Sequence, residues 1–351
     1  MSKKIPTGQI PTGPGSAGQA KSVRMSDVAR LARVSAMTVS RALRAPDTVS
    51  EDTRERIRDA IEKTGYIPNR LAGNLSSRHS DVIGLIVPSL RNSLFAETIQ
   101  AIADNLGKAG FHVLIAESGH SLEVEETLVL AFLSQQVSGI ILHNTAHTPR
   151  IRGILTKADI PVIETGDLTR DPIDIVVSYS NFEAAKAMTH HLHRRGYRRI
   201  AFVSLATENN DRMRKRRSGY LAALEELGLK PNKQLILETP EGLSGGRDAL
   251  VRLLELKKRP DAVFCSGDVL AVGAALECQR RNLRLPQDIA IASFDDLDIL
   301  DHLVPRITAL RLPRREIGLF SANILLQRIL KLGGGVIAKD LGFDIIQRES
   351  T

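Results

Sequence analysis

From residue 82 onward the hydrophobic positions fall into short unbroken runs, separated by stretches with helical spacing. Val82–Val87, His112–Ala116, Gly139–Leu142 and Ile160–Ile163 read as strands buried on both faces, since a half-exposed strand would alternate apolar with polar positions. The spacing predicts helices over 95–110, 122–136 and 150–158 between them. A second set begins near residue 181. Its strands are Arg199–Val203, Leu235–Leu237, Asp261–Cys265 and Asp288–Ala292, with helices near 181–195, 215–227, 245–257 and 268–281. Such alternation predicts two parallel sheets, each covered by helices on both faces. Ligands of these sheets bind beyond the carboxyl ends of the strands, so two sheets facing each other would close on a small molecule.

Upstream the pattern changes to three short helices. In the first, Val28, Ala29 and Ala32 can face a small core, and Ser26 is placed to cap it. Ser35 is placed to cap the second, where Val39 and Leu43 are four residues apart and share a face. Met37, Thr38, Ser40 and Arg41 are then left to point outward. The third begins after Ser50, with Glu51 and Asp52 in its first turn and Gly65 just past its end. Three short helices with a polar, basic middle one suit the DNA major groove, which admits a single helix.

Charge strengthens that reading. The 351 residues imply two or three domains and carry a net charge of +8. Residues 1–80 hold 14 Lys/Arg against 7 Asp/Glu, so nearly all of the surplus lies there and the rest of the chain is close to neutral. Basic charge confined to a reading head is what phosphate neutralisation requires. Cys265 and Cys278 are the only cysteines; both lie in apolar surroundings without metal-ligand spacing and read as reduced core residues of a cytoplasmic protein. No apolar run approaches the ~18 residues that span a membrane, and residues 1–22 carry no apolar signal core and read as a disordered tail.

Asp27-Val-Ala29, Val34-Ser-Ala-Met-Thr-Val-Ser-Arg41 and Gly65-Tyr-Ile-Pro-Asn-Arg-Leu-Ala72 resemble the head and hinge of the lactose-repressor (LacI-type) family. The resemblance implies a helix-turn-helix domain over 23–67, with Ser35, Ala36, Met37, Thr38, Ser40, Arg41 and Arg44 at the DNA. It implies a hinge over 68–80, whose helix from Asn69 through Arg70 to Leu75 enters the minor groove, Leu75 acting as the apolar wedge that kinks DNA. Residues 81–351 would form the effector-binding and dimerisation domain. Its fold would be like that of the periplasmic sugar-binding proteins, two parallel-sheet subdomains joined by three crossing strands. The segment from Thr308 would return to the first subdomain. Only five residues follow Ile346, too few for the tetramerising tail of some members, so a homodimer is expected.

Several patterns have plainer readings. Gly13-Pro-Gly-Ser-Ala-Gly18 spells a dinucleotide-binding pattern but follows no strand. Gly242-Leu-Ser-Gly-Gly246 spells a nucleophile elbow, yet Ser244 more simply caps the next helix. His190, His191 and His193 read as a solvated helix face rather than a metal site. Asp211-Arg-Met-Arg-Lys-Arg-Arg217 reads as mostly solvated surface with one member, Arg216, turned inward.

Arg216-Arg-Ser-Gly-Tyr220 resembles the family's Arg-x-x-Gly-aromatic motif, whose Arg contacts effector; a guanidinium fork suits a carboxylate or paired hydroxyls. By the same resemblance Asp295 and Asp268 would accept hydroxyl hydrogen bonds, although Asp268 also reads as a helix-terminal cap. Ser89, Asn92 and Phe95 would cover the ligand from the first subdomain. Asn181 stands where many members have an acid-amide pair, here with Ser180 in place of the acid, and His143 ends a strand at the cleft. The body is most similar to gluconate-utilisation repressors, in Pro88–Glu97, His147–Arg150, Asn181–Ala185 and Ala271–Arg280. The expectation is a sequence-specific DNA-binding repressor released from double-stranded operator DNA by a small sugar acid such as gluconate. The alternatives are a regulator activated by a corepressor and a solute-binding receptor. No enzyme, cofactor, metal or membrane association is expected.

Overall fold

The computed structural model describes residues 23–67, 80–90, 93–208, 210–335 and 337–351, which divide into a small head and a large body. In the head, helices α1 (Met25–Ala32), α2 (Ala36–Arg44) and α3 (Glu51–Thr64) enclose a core of Val28, Ala29, Ala32, Val39, Ala42, Ile57, Ala60 and Tyr66. Ser35 caps α2 as expected, its hydroxyl accepting from the Thr38 N–H at 3.0 Å. Gly65 ends α3 at φ 64°, the left-handed conformation glycine takes without a Cβ clash. Two expectations need correction. Helix α1 starts one residue before Ser26, and the Asp27 carboxylate accepts the orphan Arg24 N–H at 2.9 Å instead. Leu43 is 39% exposed, and Ala42 packs beside Val39 in its place. At 100° per residue the two lie on opposite sides of Val39, and α1 and α3 cover only the Ala42 side.

The body contains two six-stranded sheets. The first runs in the order β11-β5-β4-β3-β1-β2, all parallel, from β1 (Val82–Val87), β2 (His112–Glu117), β3 (Gly139–Leu142), β4 (Val162–Glu164), β5 (Ile175–Ser178) and β11 (Ile337–Asp340). The second runs β12-β10-β9-β8-β6-β7, from β6 (Ile200–Ser204), β7 (Ile236–Glu238), β8 (Ala262–Cys265), β9 (Ala290–Phe294), β10 (Thr308–Arg311) and β12 (Asp344–Ile346). Here only β10 and β12 pair antiparallel. Helices α4 (Ala96–Lys108), α5 (Leu122–Ser134) and α6 (Pro149–Lys157) belong to the first subdomain. Helices α7 (Asn181–Arg194), α8 (Asp211–Glu226), α9 (Leu243–Leu254) and α10 (Asp268–Arg280) flank the second sheet, followed by the short α11 (Ile299–His302). Each sheet separates two apolar clusters, as a parallel sheet buried on both faces requires.

The chain crosses between subdomains three times: from β5 to α7, from β10 to α12 (Arg314–Ile329), and from β11 to β12. The expectation that everything from Thr308 returns to the first subdomain is therefore only half right. Helix α12 and β11 do so, with Ala322 and Leu325 joining the core over β1 and β3. Strand β10 stays with β9, and β12 comes back to cover the edge of β10 that would otherwise be open. The last residues remain there, the Ser350 hydroxyl donating to the Ile291 carbonyl at 2.6 Å. Among the described residues no helix is long and apolar enough to cross a membrane.

Candidate DNA-reading face and ligand cleft

On the head, capping by Ser35 sets the orientation of α2, and its buried Val39 and Ala42 fix which side faces out. Ser35, Ala36, Met37 and Arg41 are exposed, Met37 by 70%, while Thr38 and Ser40 are half-buried. An exposed apolar Met on a nine-residue helix has no packing role in the head. Arg44 ends the same helix. Asn69, Arg70 and Leu75 lie outside the described residues, as does Asn92.

In the body, a cleft lies at the carboxyl ends of both sheets, where ligands of parallel sheets bind. Ser89, Phe95, His143, Arg216, Asp268 and Asp295 all line it. They come from the ends of β1, β3, β8 and β9 and from helix α8, and the strand-end turns converge because the strands are parallel.

Arg216 is held on every side. Its Nε donates to Asn181 Oδ1 at 2.8 Å, Nη1 donates to the Ser266 carbonyl and lies 3.4 Å from Asp295, and the guanidinium carbon sits 3.5 Å from the centre of the Phe294 ring. Arg314 donates to the other Asp295 oxygen at 3.0 Å. Asp295 therefore neutralises parts of two guanidinium groups, and it does so from a left-handed backbone at φ 74°, a conformation few non-glycine residues adopt. Gly219, one turn along from Arg216, is required by packing: a Cβ there would meet the Phe182 carbonyl oxygen at 2.1 Å. The aromatic partner in the same motif, Tyr220, stacks on Phe202 and donates to the Ile200 carbonyl at 2.9 Å.

Asn181 sits behind this arrangement rather than on the cleft wall. It is wholly buried, and its amide nitrogen donates to the Gly166 carbonyl at 2.6 Å and to Asp167 at 3.1 Å. Ser180 caps α7 through the Glu183 N–H at 3.1 Å, and the acid at this corner is Asp167, whose carboxyl burial pushes above its usual range. Asp268 is not the cap of α10, a position held by Gly267, but its first residue. One oxygen accepts the Val269 N–H at 2.6 Å, but buried Oδ2 has no partner. Burial, reinforced by the nearby Asp295 charge, raises its carboxyl well above the usual carboxylate range. It is thus set to share a proton or accept a ligand hydroxyl.

His143 packs edge-on against Phe95 with ring centres 4.7 Å apart, and its Nδ1 meets the Thr165 hydroxyl at 2.9 Å. Burial, then the charges of Arg212 and Arg216, hold it well below 6.5, so it is neutral at pH 7. Behind the same loop, His147 bridges Glu125 at 2.6 Å and Glu164 at 3.3 Å.

Arg212 was not singled out by sequence reasoning, although it lines the cleft and is only 6% exposed. Helix α8 begins a turn earlier than its spacing suggested, capped by Asn210 through the Met213 N–H at 3.2 Å, and that turn carries Arg212. The signal was present: Arg212 and Arg216 are four residues apart and so share a helix face. His120 was missed as well; it follows β2 at φ 61° and lines the cleft from the first subdomain.

Other readings resolve plainly. Ser244 lies inside the first turn of α9, whose N-cap is Gly242, so it does not cap that helix. His190 pairs with Glu226 at 2.9 Å, but His191 is buried, so the histidine run is not wholly solvated. Three or more metal-ligating side chains nowhere gather among the described residues. Cys265 and Cys278 are buried free thiols, each pushed by burial to about 12.

Residues 24–69 match the family described as bacterial regulatory proteins, lacI family. Residues 80–340 match the periplasmic binding proteins and sugar binding domain of LacI family. The HTH-type transcriptional regulator GntR of Escherichia coli (strain K12) is 38% identical over 323 residues, covering 92% of this chain and 96% of that protein. GntR of Pseudomonas aeruginosa is 35% identical over 328 residues, covering 93% and 95%. The crystal structure of a LacI-family transcriptional regulator from Silicibacter pomeroyi has a TM-score of 0.88 at 29% identity, covering 93% of this chain and 99% of that one.

Proposed function

The chain belongs to the LacI family of DNA-binding transcriptional repressors, and from that premise we propose that a small sugar acid such as gluconate releases it from its operator. The observation that carries this reading is the cleft itself. Buried guanidinium groups and a buried, partnerless carboxyl oxygen face one cleft between two subdomains. Guanidinium suits a carboxylate, and Asp268 and Ser89 suit hydroxyls. The similarity to GntR proteins over nearly the whole length supports the same effector class.

In this account two chains form a dimer whose heads occupy two half-sites at fixed spacing. Arg41 and its neighbours on α2 read base edges, and the hinge expected over 68–80 contributes Leu75 as the minor-groove wedge. Ligand stabilises one arrangement of the two body subdomains over the other, and the three crossings carry that change toward residue 80. Release follows only if ligand binds the two arrangements with different affinity.

The test is to select an operator from random DNA with the full chain, then add gluconate, ketogluconates, phosphogluconate and neutral sugars to the complex. Release by one of the acids at concentrations where the neutral sugars do nothing supports the reading. Release by neutral sugars alone, or tighter DNA binding with an acid, overturns it.

A further inference from the structure

We propose that the acid group of the effector docks on Arg212, with His120 and His143 across the cleft completing an anion-receiving end, while Arg216 serves to hold Asp295 in place. This deepens the sugar-acid reading and rests on it.

The two arginines share a helix face but not a role. Arg216 already has Asp295, Asn181 and a backbone carbonyl as acceptors. Arg212 forms no ion pair with any described carboxylate. Its Nη1 and Nη2 reach only the His143 carbonyl at 3.5 Å and His120 Nδ1 at 3.3 Å, both long, and its buried Nε has no partner. The carboxylate next to it in sequence is turned away: Asp211 accepts the Arg212 backbone N–H at 2.8 Å and the Thr145 hydroxyl at 3.2 Å. A buried guanidinium left this way is costly unless an acceptor arrives.

Charge across the cleft agrees. Arg212, Arg216 and Arg314 face Asp295 and an Asp268 whose negative form is disfavoured by burial and by Asp295. Glu241, also on the lining, is exposed and so screened by water. Among the lining groups Arg216 is paired with Asp295, whereas Arg212 has no described carboxylate within ion-pair distance. His120 and His143 are neutral, held down by burial and then by Arg212; with His120 Nδ1 accepting from Arg212, the His120 ring carries its proton on Nε2 and can donate it.

The geometry also gives the ligand a direction. Acid at the Arg212 end leaves a hydroxylated chain running toward Asp268 and Asp295. Because Arg212 comes from α8 and the two histidines from the ends of β2 and β3, a carboxylate there would touch both subdomains at once. The acid is thus the group that distinguishes a closed from an open cleft.

The experiment compares gluconate with glucitol, which differs by having a hydroxymethyl in place of the carboxylate, by calorimetry on the full chain. Wild-type protein is expected to bind gluconate at least about tenfold more tightly than glucitol. Arg212→Gln should lower gluconate affinity about ten- to a hundredfold, as loss of a charge-assisted contact does, leave any glucitol binding unchanged and not lower the Tm of the free protein. Arg212→Lys should recover part of the loss. A folded Arg212→Gln protein that retains the preference for gluconate overturns the proposal but leaves the sugar-acid reading standing. A wild-type protein that binds neither gluconate nor the ketogluconates nor phosphogluconate more tightly than glucitol overturns both. Should Arg212→Gln not fold, His120→Ala reads the same end of the cleft: a loss for gluconate alone supports the proposal, and unchanged gluconate affinity overturns it.

Discussion

His147 offers the sharpest test of how the cleft loop is held. Its ring lies wholly buried between Glu125 and Glu164, with Glu125 also accepting from the Asn144 amide at 3.2 Å and Glu164 from the Ile173 N–H. Burial alone would discharge the imidazole. The hydrogen bonds and charges of Glu125 and then Glu164 more than offset it and raise the histidine to about 9. The gap between an unfolded value of 6.5 and about 9 in the folded protein is worth about 3 kcal/mol. A group raised on folding contributes in full below its unfolded value and loses that contribution as pH climbs through the folded one. The window therefore runs from about pH 6.5 to just above pH 9. In His147→Gln the two carboxylates keep a weak donor but lose the positive charge between them. Urea unfolding of the body should show the variant less stable by about 3 kcal/mol at pH 6, with the difference closing by pH 10, where the wild-type ring is neutral too. A difference independent of pH would refute the argument, because it would mean the ring packs there uncharged. The loop concerned carries His143 at its start, so gluconate affinity should weaken in the same variant.

Three further outcomes are expected. Arg41→Ala should weaken operator binding by about 1–3 kcal/mol while binding to random DNA changes less; equal losses by anisotropy titration would make Arg41 a phosphate contact. Gly219→Ala should cost about 1–3 kcal/mol in thermal or urea unfolding, since α7 and α8 must separate to admit the methyl against the Phe182 carbonyl, and an unchanged Tm would mean the helices are not in contact. Leu75→Ala should reduce operator bending and affinity but leave gluconate binding intact, and unchanged bending in gel phasing would give Leu75 a packing role.

The alternation of strands and helices was legible because parallel strands buried on both faces must be apolar throughout: Val82–Val87 and Gly139–Leu142 have the same bounds in sequence and structure. Strand β5 was not, since four residues following the Asp- and Pro-containing stretch 171–174 are too few to show a period. Strand β12 is three residues long and exists only because β10 has an open edge, a fact of pairing that local sequence does not carry. The cleft divides in the same way. Arg216, Asp268 and Asp295 announce themselves through motif and position at element ends. Asp167 reaches Asn181 from fourteen residues away, and no spacing rule links them. Arg212 was hidden by its neighbours, because a run of five basic residues within Arg212–Arg217 reads as solvated surface until the helix face they divide is counted out.

Coupling between the cleft and the head is the central claim, and binding reciprocity tests it most directly. If gluconate lowers operator affinity by some factor, operator must lower gluconate affinity by the same factor. Calorimetric titration of gluconate into the free protein and into its complex with saturating operator measures this in one pair of experiments. The account predicts weaker binding to the complex, by about 5- to 150-fold for a coupling of 1–3 kcal/mol, matching the loss of operator affinity measured at saturating gluconate. Equal gluconate affinity for the free and operator-bound protein would contradict it.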